Sequence, residues 1–487
     1  MKLTDEINER LFSASPRGRA VILGLGVSNL PLARMLCARG CEVEIRDAKT
    51  IDALGEPAAA LLASGASFIC GCDPTRGLCR NSSGRDVIFR SPGIRPDAGD
   101  IPAAVAGGAL LTSEMEWFCD AATAPIFAIT GSDGKTTTTT LTHLLLSRAL
   151  GRQGGRAVVG GNIGTPLLDR VSEIGERDAA VLELSSFQLM TMSHSPHRAA
   201  ITNITPNHLN WHIDMEEYTA AKYRVFGPST ELLVLNAKSP AALAAATHSP
   251  SFSGEITLFT AHADNYNDTV PPALRGRACA VFLRGDDIIF SDGDHDELLL
   301  RRSDIKIPGV HNVENFMTAA ALTRGIADSA DLLEVAHSFP GVRHRIEFVR
   351  ELDGVSYYNS SIDSTPTRTE AALSVFDNRP IFILCGRDKH LSYRSLVPAL
   401  FERSGGVVVS GEAIPIIRAA IEDEGARRGG VPIPVIYEDD LLRAVDRARE
   451  IARPGSAVVL SPSCTSFDRF RNFEERGDVF CSYVNSL

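Results

Sequence analysis

Pro125-Ile-Phe-Ala-Ile-Thr-Gly-Ser-Asp-Gly-Lys-Thr-Thr-Thr-Thr-Thr140 joins an apolar run to a lysine–threonine pair through a tight loop of small residues. Ile126 to Ile129 suits a buried parallel strand. Gly131, Ser132, Asp133 and Gly134 let the backbone turn sharply and aim its amides at one point. Lys135 and Thr136 follow, and the chain then reads as helix through His143 and Leu144. Such a junction is an anion cradle: convergent N–H groups, a positive helix end, an ammonium, and a hydroxyl able to ligate Mg²⁺. The general G-x-x-x-x-G-K pattern would require glycine at position 129, where this chain has Ile129. The stretch therefore predicts a nucleoside triphosphate site of a variant class.

Working outward, 487 residues exceed one ordinary domain, and three is the natural division. A hydrophobic content of 44% supplies ample core, and a net charge of −11 argues against a nucleic-acid partner. No run is long and apolar enough for membrane insertion, and Met1-Lys-Leu-Thr-Asp-Glu lacks a signal-peptide core. A cytoplasmic monomer with reduced thiols is expected, the 10 cysteines being scattered. Cys70-Gly-Cys72 with Cys79, and His208 with His212 and Asp214, carry fragments of metal spacing. Neither group has the further ligands a zinc site needs.

Arg19 to Leu23 reads as strand, Gly24-Leu-Gly26-Val-Ser28-Asn29 as a glycine turn, Leu30 to Arg39 as helix and Glu42 to Asp47 as a second strand. This is the opening βαβ of a dinucleotide-type fold, with Asp47 about twenty residues after the turn, where a ribose partner sits. Asn29 replaces the third glycine, so NAD, another nucleotide-linked ligand and a purely structural unit all fit, the second best. Arg90-Ser-Pro-Gly-Ile94 is a second small-residue turn after a strand over 86–89. Gly160-Gly-Asn-Ile-Gly164 permits close backbone approach. Glu183 ends a buried strand from Ala179, where a carboxylate is positioned to hold Mg²⁺. Strands at 231–235, 256–259, 280–283 and 287–290 predict parallel sheet finishing in a small β meander. Beyond residue 340, helices and strands alternate from Thr365 to Ser461, which predicts a second doubly wound parallel sheet. The fold class is α/β in three domains: 1–113 Rossmann-like, 114–341 a P-loop ATPase-like parallel sheet with the meander, and 342–487 Rossmann-like.

The variant loop Thr130-Gly-Ser-Asp-Gly-Lys-Thr136 closely resembles that of the Mur ligases and their folylpolyglutamate synthase relatives. Gly161-Asn-Ile-Gly164, Glu183-Leu-Ser-Ser-Phe-Gln-Leu189, Asn203-Ile-Thr-Pro-Asn-His-Leu-Asn-Trp-His212 and Ser461-Pro-Ser-Cys-Thr-Ser-Phe-Asp-Arg-Phe-Arg-Asn-Phe-Glu-Glu-Arg-Gly477 extend the resemblance from Gly24 to Gly477. Within that family they look like the D-glutamate-adding members. The resemblance implies ATP-dependent joining of D-glutamate to UDP-N-acetylmuramoyl-L-alanine in peptidoglycan precursor synthesis, by three domains that close over the substrates. It also implies roles for residues. Val27, Ser28, Asp47, Ser91 and Gly93 would bind the uridine diphosphate, and Asn162, Ser185 and His208 the muramoyl part. Gly131, Ser132, Gly134, Lys135, Thr136 and Thr137 would cradle ATP phosphates, with Asn312 and Asn315 near adenine and Arg345 near the γ-phosphate. Thr136 and Glu183 would hold one Mg²⁺, and His208 with a carbamylated Lys222 the second. Ser364, Lys389, Ser466 and Phe467 would bind D-glutamate. Lys135, His208, Lys222 and Arg345 form the implied catalytic set.

The chain departs from the family pattern at Asn359-Ser360-Ser361-Ile362, where Asn-Asp-Ser-Lys is common; the nearest acid is Asp363. Arg387-Asp388-Lys389 likewise replaces a commoner double-glycine loop. Competing readings are another ligase of the superfamily, an NAD-dependent oxidoreductase using Gly24 and Gly26, and a non-catalytic nucleotide-binding regulator.

Overall fold

The computed structural model describes residues 2–78, 84–249, 251–388 and 391–487. Cys79 and Lys389 lie outside the described residues. The chain divides into two compact units, Met1–Arg302 with Val313–Val335, and Ser303–Asn312 with Ala336–Leu487.

The first unit carries two sheets. β1 (Ala20–Leu23), β2 (Val43–Asp47), β3 (Ser67–Cys70), β4 (Val87–Arg90) and β5 (Leu110–Thr112) form a parallel sheet in the order β3-β2-β1-β4-β5. The second sheet takes β6 (Ile126–Thr130), β7 (Ala157–Gly161), β8 (Ala179–Glu183), β9 (Arg198–Ile201), β10 (Leu232–Asn236), β11 (Glu255–Thr260), β12 (Ala278–Arg284), β13 (Asp287–Ser291) and β14 (Asp296–Arg301) in the order β14-β13-β12-β11-β10-β9-β6-β8-β7. β6, β8 and β10 are buried at every position, which is why they read as continuous apolar runs. Each Val, Leu or Ile buried there is worth roughly 1.5–3 kcal/mol, enough to fix which strands are central. The sheet turns antiparallel at β12–β13–β14, because the Gly285-Asp286 connection is too short for a crossover. β14 exposes Asp296, Glu297 and Arg301, and such charges suit an edge strand.

The second unit holds β15 (Glu347–Leu352), β16 (Val355–Asn359), β17 (Ile381–Cys385), β18 (Gly406–Ser410), β19 (Val435–Glu438) and β20 (Ala457–Ser463), ordered β15-β16-β20-β17-β18-β19. β17 to β20 pair in parallel, as the alternation of helices and strands from Thr365 to Ser461 implies, and β16 joins β20 in parallel; the departure lies before that stretch, at β15. β15 and β16 form an antiparallel hairpin closed by Asp353-Gly354, both at positive φ.

In each sheet the chain doubles back from an edge strand to lay a later strand beside an earlier, central one, opening a crevice at the carboxyl ends of the strands. The crevice falls between β1 and β4 in the first sheet and between β6 and β9 in the second. In the third it surrounds β20, between β16 and β17.

Candidate active site

The loop after β6 is locked before any ligand is considered. Gly131 has φ +152, and a Cβ there would lie 1.9 Å from Thr202 Oγ1, so no other residue fits. Ser132 N donates to Asn203 O, its hydroxyl donates to Thr205 O and pairs with Tyr218 Oη at 2.9 Å, and Asp133 N donates to Asn203 Oδ1. Ser132 thus holds the loop's shape with its side chain and has only its backbone to offer a phosphate. Gly134 caps the helix Lys135–Gly151, which runs two turns beyond the stretch read from sequence. Asn315 Oδ1 accepts from Thr138 Oγ1 at 3.2 Å and lies against Gly134. Lys135 Nζ donates to the carbonyls of Gly131 and Ser132, both at 2.9 Å. Thr137 is buried and Thr136 half-buried beside it.

A second lysine reaches the same carbonyl. Lys222, on the helix Met215–Tyr223, is 1% exposed; its Nζ donates to Gly131 O at 2.7 Å and lies 4.6 Å from the centre of the Tyr218 ring. Burial, and then the Lys135 charge, hold its ammonium well below the usual lysine range, against the pull of Asp133 and Glu183. Glu183, ending β8, is 1% exposed: Oε1 accepts from Asn162 Nδ2 at 2.8 Å, while Oε2 is buried with no hydrogen-bond partner among the described residues. Asn162 also donates its N–H to Glu183 O at 2.7 Å, fixing the 161–164 turn to that strand. An uncommitted buried carboxylate oxygen is a hard ligand awaiting a cation, so this donor set fits Mg²⁺.

His208 sits at φ +55 with its ring edge-on to Phe187, centroids 4.9 Å apart. Burial, then the Lys135 and Lys222 charges, push its imidazole below the ordinary value. His212 is a structural residue: Nε2 pairs with Ser186 Oγ at 2.9 Å and Nδ1 with Glu217 at 3.1 Å, while Asp214 caps the following helix. Ser185 also has a structural duty, capping Ser186–Leu189 in a reciprocal box with Gln188.

At the first sheet's crevice, Asn29 Nδ2 donates to Gly24 O at 2.9 Å and Ser91 Oγ at 3.1 Å, and Ser91 Oγ donates to Gly24 O. The third fingerprint glycine is absent because an amide here ties the two turns together. Asp47 accepts from Leu25 N and Lys49 N, each at 2.8 Å. Val27 is exposed. Gly93 O accepts from Trp211 Nε1 at 3.0 Å. Arg90 and Arg95, whose partners no sequence motif reveals, join this turn to the helices Ser186–Leu189 and Met215–Tyr223. Buried Arg90 donates to Ile94 O and Phe187 O, and desolvation lowers it to about 10. Arg95 forms a double hydrogen bond with Glu217 and pulls that carboxyl down to about 2. Alternating apolar patterns carry no trace of such long-range pairs.

In the second unit, Arg345 is exposed between His344 (φ +62) and Ile346 (φ +49), a turn closed by Arg345 N to Val342 O. Asn312 Nδ2 donates to Pro308 O. Ser364 follows β16, and buried Ser466 and exposed Phe467 follow β20. Asp363 is buried, accepts from Ser461 Oγ at 2.9 Å, and is raised by desolvation to about 6. The acid nearest the Ser360 departure thus faces inward.

Residues 129–323 match the model of the Mur ligase middle domain, and residues 344–464 that of the Mur ligase glutamate ligase domain. UDP-N-acetylmuramoylalanine–D-glutamate ligase of Ruminiclostridium cellulolyticum is 40% identical over 474 residues, 96% of this chain and 97% of the relative. The enzyme of that name from Acetivibrio thermocellus is also 40% identical, over 472 residues and 96% of each chain. Among solved structures, MurF of Acinetobacter baumannii superposes with a TM-score of 0.54 at 16% identity, over 97% of this chain and 92% of that one. MurC of Thermotoga maritima superposes at 0.51 and 16%, over 96% and 99%. These two share the fold. With both domain models matched and such identity over nearly its whole length, the chain belongs to the Mur ligase family.

Proposed function

We propose that the protein is the ATP-dependent ligase that joins D-glutamate to UDP-N-acetylmuramoyl-L-alanine, working as a cytoplasmic monomer with functional domains 1–113, 114–341 and 342–487. The observation that carries the chemistry is the meeting of Lys135 and Lys222 on Gly131 O, near a glutamate with one uncommitted oxygen. The amino acid and the sugar nucleotide follow from what the 40%-identical relatives are named for.

A carboxylate is too poor an electrophile for direct amide formation. In this reading the L-alanyl carboxylate attacks the γ-phosphorus of ATP, giving an acyl phosphate and ADP; the D-glutamate amine then attacks the acyl carbon and phosphate leaves. Catalysis of the first step is alignment and charge neutralisation. Lys135, released from the carbonyls of Gly131 and Ser132, follows the γ-phosphate, and Gly131, Gly134, Thr136 and Thr137 line the phosphate path. Arg345 is assigned the γ-phosphate, and Asn312 and Asn315 the adenine. Thr136 and Glu183 would hold one Mg²⁺, and His208 with Lys222 the second; bound Mg²⁺ neutralises phosphate charge. Val27, Ser28, Asp47, Ser91 and Gly93 are assigned the uridine diphosphate, and Asn162, Ser185 and His208 the muramoyl group. Ser364, Ser466 and Phe467 are assigned D-glutamate, as is Lys389 outside the described residues. His208, kept neutral, is suited to accept a proton from the incoming amine, and orienting a metal-bound group would use the same position.

Carbamylation of Lys222 belongs to the same proposal. Only a neutral amine attacks CO₂, and the burial that depresses Lys222 favours that form. The product is an anion with hard oxygen donors.

The test is ADP release across a panel of D- and L-amino acids. Release should require UDP-N-acetylmuramoyl-L-alanine and D-glutamate together, and Lys135→Ala should lower it about 10³-fold with the fold intact. Equal turnover with L-glutamate or a folate, or full activity in Lys135→Ala, would sink the assignment.

A further inference from the structure

Arg476 is 0% exposed, on the helix Phe473–Ser486. Among the described residues no carboxylate hydrogen-bonds to it. Its five N–H groups instead meet five acceptors on three separate loops. Nε donates to Ser361 Oγ at 3.0 Å and one Nη to Ser361 O at 2.9 Å, after β16. The other Nη donates to Cys385 O at 3.2 Å, at the end of β17, and to Thr465 O at 3.2 Å, after β20. Both Nη atoms reach Cys464 O at 3.3 Å. These three loops surround the crevice of the third sheet.

The neighbourhood is shaped to this guanidinium. Gly386 has φ +121, and a Cβ there would stand 1.9 Å from Thr465 O and 2.9 Å from an Arg476 Nη. Arg387 and Thr465 exchange backbone hydrogen bonds at 2.9 and 3.0 Å, sealing two of the loops together. Ser361 Oγ donates on to Phe473 O, closing the circuit to the helix that carries Arg476. A planar fork can hold three loops in fixed relation; a lysine offers three N–H groups from a single point and cannot span them.

We infer that Arg476 is a positioning residue for the amino-acid substrate, holding the loops after β16, β17 and β20 at the spacing that receives its carboxylates. Ser466 adjoins Thr465 and Ser364 lies three residues past Ser361, so the backbone that Arg476 fixes is the one that carries them. This inference rests on the proposed D-glutamate site and deepens it. Arg476 touches no substrate; it acts through the loops.

The test is Arg476→Lys in the full-length enzyme, with KM measured for each substrate and the acyl phosphate trapped by hydroxylamine without D-glutamate. KM for D-glutamate should rise about 10-fold or more, since small misplacements of binding groups are costly. KM for ATP and for the sugar nucleotide, and hydroxamate formation, should stay within about twofold. An unchanged D-glutamate KM, or an equal loss for all substrates and for hydroxamate, would overturn the inference. Should Arg476→Lys not fold, Ser361→Ala decides: a D-glutamate KM raised about threefold with ATP unaffected supports it, and no change overturns it. A wild-type enzyme indifferent to D-glutamate overturns the proposed reaction instead, and the same ratios measured with the amino acid it does accept then judge Arg476.

Discussion

Two cations are buried in this molecule under opposite terms. Lys222, in the first unit, makes one hydrogen bond among the described residues, to Gly131 O, and faces the Tyr218 ring. Arg476, in the second, spends every N–H on carbonyl and hydroxyl oxygens. Taking a charge from water is costly unless its hydrogen-bonding capacity is met inside. Arg476 meets that condition and is architecture. Lys222 does not, and its ammonium is depressed accordingly. An under-satisfied buried lysine beside a second lysine is poised for chemistry rather than for stability.

The sharpest way to break this contrast is to replace both side chains by methionine. Lys222→Met should lower ligation about 10³-fold while leaving thermal stability level or slightly improved, because it removes a poorly solvated charge. A ¹³C carbamate resonance after incubation with labelled bicarbonate should be present in the wild type and absent in this variant. Full activity in Lys222→Met would end the argument for a functional lysine. Arg476→Met should instead destabilise the second unit by roughly 3 kcal/mol, since it strands buried acceptors on three loops. Denaturant melts that coincide with the wild type would show the guanidinium to be dispensable.

Gly477 tests the same helix by packing alone. A Cβ there would stand 2.2 Å from His344 Nδ1 and 3.0 Å from Asn359 Nδ2. Gly477→Ala should therefore cost about 2 kcal/mol in a denaturant titration, the scale of overpacking a tight contact. A neutral substitution would mean the helix has freedom to shift, and would weaken the case for a fixed Arg476.

The mildest test concerns a buried acid. Glu114 accepts from Leu168 N at 3.3 Å, and desolvation raises its carboxyl from 4.5 to about 7. Between those values the folded state holds the proton that the unfolded chain has released. Its contribution to stability therefore falls as pH rises from about 4.5 to about 7. Glu114→Gln should gain about 1–2 kcal/mol over the wild type at pH 8 and nothing at pH 4.5, by paired melts. A difference independent of pH would assign the effect to packing.

Legibility tracked the range of the interaction. The strand–loop–helix at 126–151 was readable because a short apolar run, two glycines and a lysine–threonine pair act locally. The Asp353-Gly354 hairpin is equally local, but its signal is two residues long and the alternation of helices and strands downstream points to a parallel sheet. Asn29 looked like a defect in a glycine fingerprint. Its reason, Ser91 at the end of another strand, lies 62 positions away.

By itself the sequence determined the α/β class, the variant phosphate loop, the acid ending β8 and the family, since all rest on nearest-neighbour chemistry and contiguous motifs. Only the tertiary structure decided which polar residues are spent on the fold and which remain for chemistry. Ser132, Ser185 and His212 looked as available as Glu183 and Lys222 until their partners were known. Those partners come from other strands and helices, and a buried polar group is free to act only when the fold has left part of its hydrogen-bonding capacity unmet.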